Sequence, residues 1–99
     1  MYARIATFDG ERADDPRYEE NLRQIKSQVE SGPRPPGLED ARGVLILDNG
    51  ETGKRLAITL FDDEEGLKRG DEALNNMNPA GAGSRSSVEV FRVVVQNMS

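Results

Sequence analysis

The sequence predicts an α+β domain whose elements run strand, helix, strand, strand, helix, strand. Three observations lead there. "VLILDNGETGKRLAITLF", Val44 to Phe61, is two apolar runs around a turn rich in Asp, Asn and Gly, which is a hairpin. Apolar residues at helical spacing precede this hairpin, and an acidic helix start follows it. Stretches rich in strand formers open and close the chain.

Tyr2 to Asp9 alternates and reads as the first strand. "DGERADD" follows as a polar loop. Asp15 is a good N-cap and Pro16 suits the first helical position. Tyr18, Leu22, Ile25 and Val29 then fall on one stripe of a helix, which Gly32 and Pro33 end. "GPRPPGLEDARG" is a stiff, extended crossover; its "PRPP" carries only a weak proline-ligand signal.

Arg42 to Leu47 is the second strand and Lys54 to Phe61 the third. Asp48, Asn49, Gly50 and Gly53 supply the turn between them. Asp62 is placed to cap the second helix, with Glu65 completing a capping box. The run "DDEE" suits the positive end of the helix dipole; it is a solvated helix start and lacks the glycine-bent loop of a calcium site. Leu67, Gly70, Leu74 and Met77 share a stripe, and Gly66 and Gly70 allow close approach to the sheet. "NNMNPAGAGSRSS" reads as a loop, and Val88 to Gln96 as the last strand. Two crossover helices and one hairpin give a ferredoxin-like β-α-β-β-α-β antiparallel sheet, with both helices on one face.

That architecture exposes a problem. Both faces of the strands are apolar, yet helices cover only one. Soluble monomers rarely leave a patch larger than about 300–600 Å² uncovered. A second copy laid face to face buries it, so the expectation is a homodimer. The duller alternative is partial cover from the tail and loops.

Composition narrows the function. The 99 residues suit one domain spanning 1–99. The net charge of −5 is spread along the chain, with no basic stripe for phosphates, so no nucleic-acid partner is expected. There is no cysteine and no histidine, which removes thiol chemistry, zinc-thiolate sites and the usual general base. No metal site and no cofactor are expected. The opening "MYARIATFDGERADD" lacks the apolar core of a signal peptide, and no stretch is long enough to span a bilayer, which points to the cytoplasm and no membrane association.

Polar residues set within apolar elements are the binding candidates: Arg4, Arg55, Thr59 and Arg92 on strands, Tyr18 and Asn21 on the first helix. Thr7 belongs with them by type. A strand arginine can hold a carboxylate or enolate oxygen, and a Tyr or Asn can orient a phenol. Against this, the arginines can pair with carboxylates or reach solvent from an edge, and Tyr18 can be core packing.

The order of elements, the opening "YARIATFD", the stretch "GVLILDNGETGKRLAITLFDDEEGL" and the closing "VEVFRVVV" resemble the dimeric α/β-barrel superfamily, and within it the antibiotic-biosynthesis-monooxygenase-like domains. The resemblance covers nearly the whole chain and is one of element pattern. It implies a dimeric α/β barrel and a ligand site between sheet and helices. It also implies a small aromatic or phenolic ligand and, in some members, cofactor-independent oxygenation. Haem-degrading members use a His and a Trp, and this chain has neither. The Trp of the phenol oxygenases' polar cluster is missing as well; Tyr2, Tyr18 and Asn21 match that cluster by type only. The alternative is a non-catalytic dimeric binding or stress-response accessory module.

Overall fold

The computed structural model describes residues 1–31, 37–76 and 83–97. Its elements are β1 (Tyr2–Asp9), α1 (Tyr18–Ser31), β2 (Ala41–Asp48), β3 (Lys54–Phe61), α2 (Glu64–Asn75) and β4 (Ser84–Arg92). The four strands form one antiparallel sheet in the order β2-β3-β1-β4, a ferredoxin-like α+β fold. β1 therefore sits inside the sheet, flanked by β3 and β4, while β2 and β4 are edges.

Register assigns the faces. Tyr2, Arg4, Ala6 and Phe8 of β1 lie beside Phe61, Thr59, Ala57 and Arg55 of β3, and this face carries the helices. Two apolar clusters form on it. Ile25 of α1 packs on Ala6 and Phe8, with Ile46, Ala57 and Val88 around them. Leu67 of α2 packs on Phe61, with Leu38, Ala41, Tyr2 and Leu74. Phe61 is fully buried because Gly70 offers no side chain: a Cβ there would overlap the Phe61 ring. Gly53, at φ 81°, closes the hairpin by donating to Asn49 O and accepting from Gly10 N, both at 2.8 Å.

The other face carries Ile5, Leu45, Leu47, Leu56, Ile58, Leu60 and Phe91. No element of the described chain covers it: Leu45 keeps 53% of its surface exposed, and Leu47 and Phe91 are also exposed.

Boundaries differ from the sequence reading in four places. α1 begins at Tyr18, although Asp15 Oδ1 does accept from Arg17 N at 2.8 Å, as a cap would. β2 gains Ala41 and Asp48, because Ala41 pairs with Phe61 and Asp48 with Arg55. The cap of α2 is Asp63 instead of Asp62: its backbone is extended, and its Oδ1 accepts from Gly66 N at 2.7 Å. Asp62 turns to Arg42, 3.5 Å away. β4 begins at Ser84 and stops at Arg92, in place of Val88 to Gln96. Its serines pair along β1 through a bulge between Thr7 and Phe8, as an exposed edge permits. It stops where β1 runs out, at the pair Tyr2–Arg92, with one more bond from Val93 N to Met1 O. The Gly32–Pro36 crossover, Met77 and the loop residues 77–82 lie outside the described residues.

Candidate functional site

The candidate residues fall in three places. Arg55, Tyr18 and Asn21 meet at the end of the sheet where β1 leaves and the β2–β3 hairpin turns. Arg55 is 1% exposed, and its Nε donates to Asp48 Oδ1 at 2.7 Å. Its Nη2 donates to Glu11 Oε1 at 3.3 Å, and its guanidinium carbon lies 5.8 Å from the centre of the Tyr18 ring. The Tyr18 hydroxyl donates to Asp48 Oδ2, and Asn21 Nδ2 donates to Glu11 Oε1 at 2.6 Å. One buried cation is thus held by two carboxylates, and those carboxylates anchor α1.

The electrostatics follow from these bonds. The Asn21 amide, with Arg55 behind it, holds the Glu11 carboxyl below its ordinary range, against the opposing effect of desolvation. The bond to Asp48 pushes the Tyr18 phenol up, so Tyr18 is a neutral donor here and no phenolate base. An open hollow of about 410 Å³ lies beside this cluster, lined by Asp9, Glu11, Arg12, Asp14, Asp15 and Arg17 with Gly10. That charged lining does not suit an apolar ligand.

Arg4 and Thr59 form the second place. They are cross-strand partners in a row that runs Val44, Thr59, Arg4, Val90 across all four strands. The row lies between the two apolar clusters. Arg4 is 3% exposed and Thr59 is buried, while Val44 and Val90 at the ends are exposed. Arg4 Nε donates to Asp71 Oδ1 at 2.7 Å and Nη2 to Asn75 Oδ1 at 3.0 Å. Among the described residues its Nη1 has no hydrogen-bond partner, and since no buried side-chain nitrogen or oxygen there lacks one, Nη1 is the part of Arg4 that reaches the surface.

Arg92 stands apart, exposed at the end of β4 beside Tyr2. Thr7 lies on the helix-free side, opposite Leu56 and Ser87.

Sequence reasoning missed the partners: Asp48, Glu11, Asp71 and Asn75. Asp48 was within reach, since opposite charges flank the hairpin turn at matching positions. Asp71 carried a fainter signal, a carboxylate four residues after Leu67 and beside the apolar stripe, with Asn75 one turn on. Among the described residues no group of three or more His, Cys, Asp or Glu could hold a metal ion. No described helix is long and apolar enough to cross a membrane.

No protein-family model matches the chain, and no curated protein matches it. Among solved structures, that of Rv0793 from Mycobacterium tuberculosis is similar, with a TM-score of 0.56 at 12% identity over 98% of each chain. At that identity the likeness is one of fold: a ferredoxin-like sheet with two helices spanning nearly the whole of both chains.

Proposed function

We propose that the protein is a dimeric α/β barrel of the antibiotic-biosynthesis-monooxygenase-like kind, which binds a small, flat, largely apolar molecule bearing one phenolic or anionic oxygen. The ligand lies on the helix side of the sheet, over the row that contains Arg4 and Thr59. The observation that carries this reading is the arginine itself: a largely buried guanidinium between two apolar clusters, whose Nη1 has no hydrogen-bond partner among the described residues and so is the atom that reaches the surface. An unused donor in such surroundings suits one ligand oxygen. Asp71 offsets much of the arginine's charge, which favours a phenol over a strong anion. The uncovered sheet face supports the dimer. If the barrel is an oxygenase, the electron-rich ligand supplies the electrons, and the protein supplies a dry site and a donor for the developing anion.

A second reading, a non-catalytic dimeric module, is favoured by one observation. Both buried arginines are bonded to carboxylates of their own chain.

2-Naphthol and naphthalene, titrated by fluorescence, test the proposal. The naphthol is expected to bind more tightly, and Arg4→Leu to erase the difference, a loss of roughly 10- to 100-fold for one charge-assisted hydrogen bond of about 1.5–3 kcal/mol. Equal affinities for the two probes in the native protein remove the arginine from the site. Oxygen uptake with a polycyclic phenol, without added flavin or metal, separates the readings: turnover supports the oxygenase, binding alone the accessory module.

A further inference from the structure

Among the described residues Arg4, Arg55 and Thr59 are the buried polar side chains, and two of them stand side by side. Arg55 is held by carboxylates of its own chain. Arg4 and Thr59 are cross-strand partners on the helix side of the sheet, 3% and 5% exposed. Thr59 is the less expected of the pair. An arginine can sit in a sheet for the sake of an ion pair, and Arg4 has one with Asp71. A threonine brings only a hydroxyl, and valine fills the same space without one. The flanking positions of the row, Val44 and Val90, are indeed valines.

The hydroxyl has no use inside the chain. Thr59 Oγ1 forms no hydrogen bond with a described residue. No buried side-chain nitrogen or oxygen there lacks a partner, so Oγ1 is the part of Thr59 that reaches the surface, as Nη1 is of Arg4. Each residue is therefore buried up to one polar atom. Cross-strand partners carry their Cβ atoms about 4.5–5.5 Å apart, so the two side chains rise from neighbouring points of the sheet. Both points lie between the apolar cluster under α1 and the one under α2.

The two groups ask for different things. Nη1 only donates, whereas a hydroxyl donates and accepts. A flat ligand with a single oxygen answers Nη1, then covers Thr59 and takes its hydroxyl out of water with nothing in exchange. A covered polar group left unpaired costs more than an ordinary hydrogen bond gains. A ligand with a second oxygen on the same edge of its ring leaves neither group unpaired.

We infer that Thr59 is a specificity-determining residue of the Arg4 site: its hydroxyl binds a second ligand oxygen, on a carbon neighbouring or next-neighbouring the one that bears the first. This rests on the ligand site proposed above and adds its second point of attachment.

The test compares 2-naphthol with the 2,3- and 1,3-dihydroxynaphthalenes by fluorescence titration of the full chain under nitrogen, and at least one diol is expected to bind about fivefold more tightly than the naphthol, or better. Thr59→Val, which keeps the shape and removes the hydroxyl, is expected to bring that diol and the naphthol to equal affinity. Thr59→Ser, which keeps the hydroxyl, is expected to keep them apart. A threonine present only for packing would change the urea midpoint in these variants but not the ratio of the two affinities. Diols that bind the native protein no more tightly than 2-naphthol, or a gap that survives Thr59→Val, overturn the inference and leave the Arg4 site standing. A native protein that binds 2-naphthol no better than naphthalene overturns both.

Discussion

Glu11 Oε1 accepts from both Asn21 and Arg55, and this makes folding sensitive to acid. The folded carboxyl titrates below its ordinary 4.5, so the unfolded chain takes up the proton first as the pH falls. The contribution is complete above the unfolded value and is lost as the pH drops through the folded one. Urea denaturation between about pH 6 and 3 is expected to show stability falling with pH, and Glu11→Gln to show a shallower fall. Equal slopes would assign the acid sensitivity to other carboxylates. At this scale the sequence was only half legible. Arg55 and Arg4 drew attention because charges inside apolar strands are costly and need an explanation. Glu11 did not, because a glutamate in a polar loop looks like every other surface acid until the loop is folded back onto Arg55.

Helix α2 meets the sheet through a missing side chain. Gly70 is a poor helix former, and Ala would gain ~1 kcal/mol of intrinsic propensity. The Cβ it adds would overlap the ring of the fully buried Phe61. Overpacking of this sort costs about 1–3 kcal/mol. Gly70→Ala is therefore expected to lower the urea midpoint despite the better propensity; an unchanged or higher midpoint would show that α2 shifts to make room. The close approach was readable from two glycines one turn apart on the apolar side. The cap was not: "DDEE" offers two adjacent aspartates with the same chemistry, and only the turn out of β3 selects Asp63. The early part of β4 escaped for a different reason. Ser84 to Ser87 carry no apolar alternation, and they are strand because β1 lies alongside them.

Seen whole, the molecule is a sheet with one dressed face and one bare one. Apolar residues on both sides of β2, β3 and β4, with helices for only one face, gave this away in the sequence, since the residue period of a strand needs no tertiary information. Which strand lies beside which followed from the crossover rules. The side-chain rows that cross the sheet did not, because they depend on register and on a bulge in each of two strand pairs. The bare face leads to a prediction at this scale. Sedimentation at micromolar concentration is expected to give a species of twice the 10.9 kDa chain mass. Ile58→Glu, a charge at the centre of that face, is expected to shift it to the single-chain mass. A native chain sedimenting at 10.9 kDa would leave the face without its occupant. The strand order also sets a timetable. β1 is made first, yet its two neighbours are the third and fourth strands. At cellular synthesis rates it waits roughly 3–10 s for β3, and longer for β4. During that interval Ile5 and Phe8 sit on a strand with both edges open. Chaperone capture of the nascent chain is therefore expected to peak before Phe61 leaves the ribosome and to fall once β3 has paired.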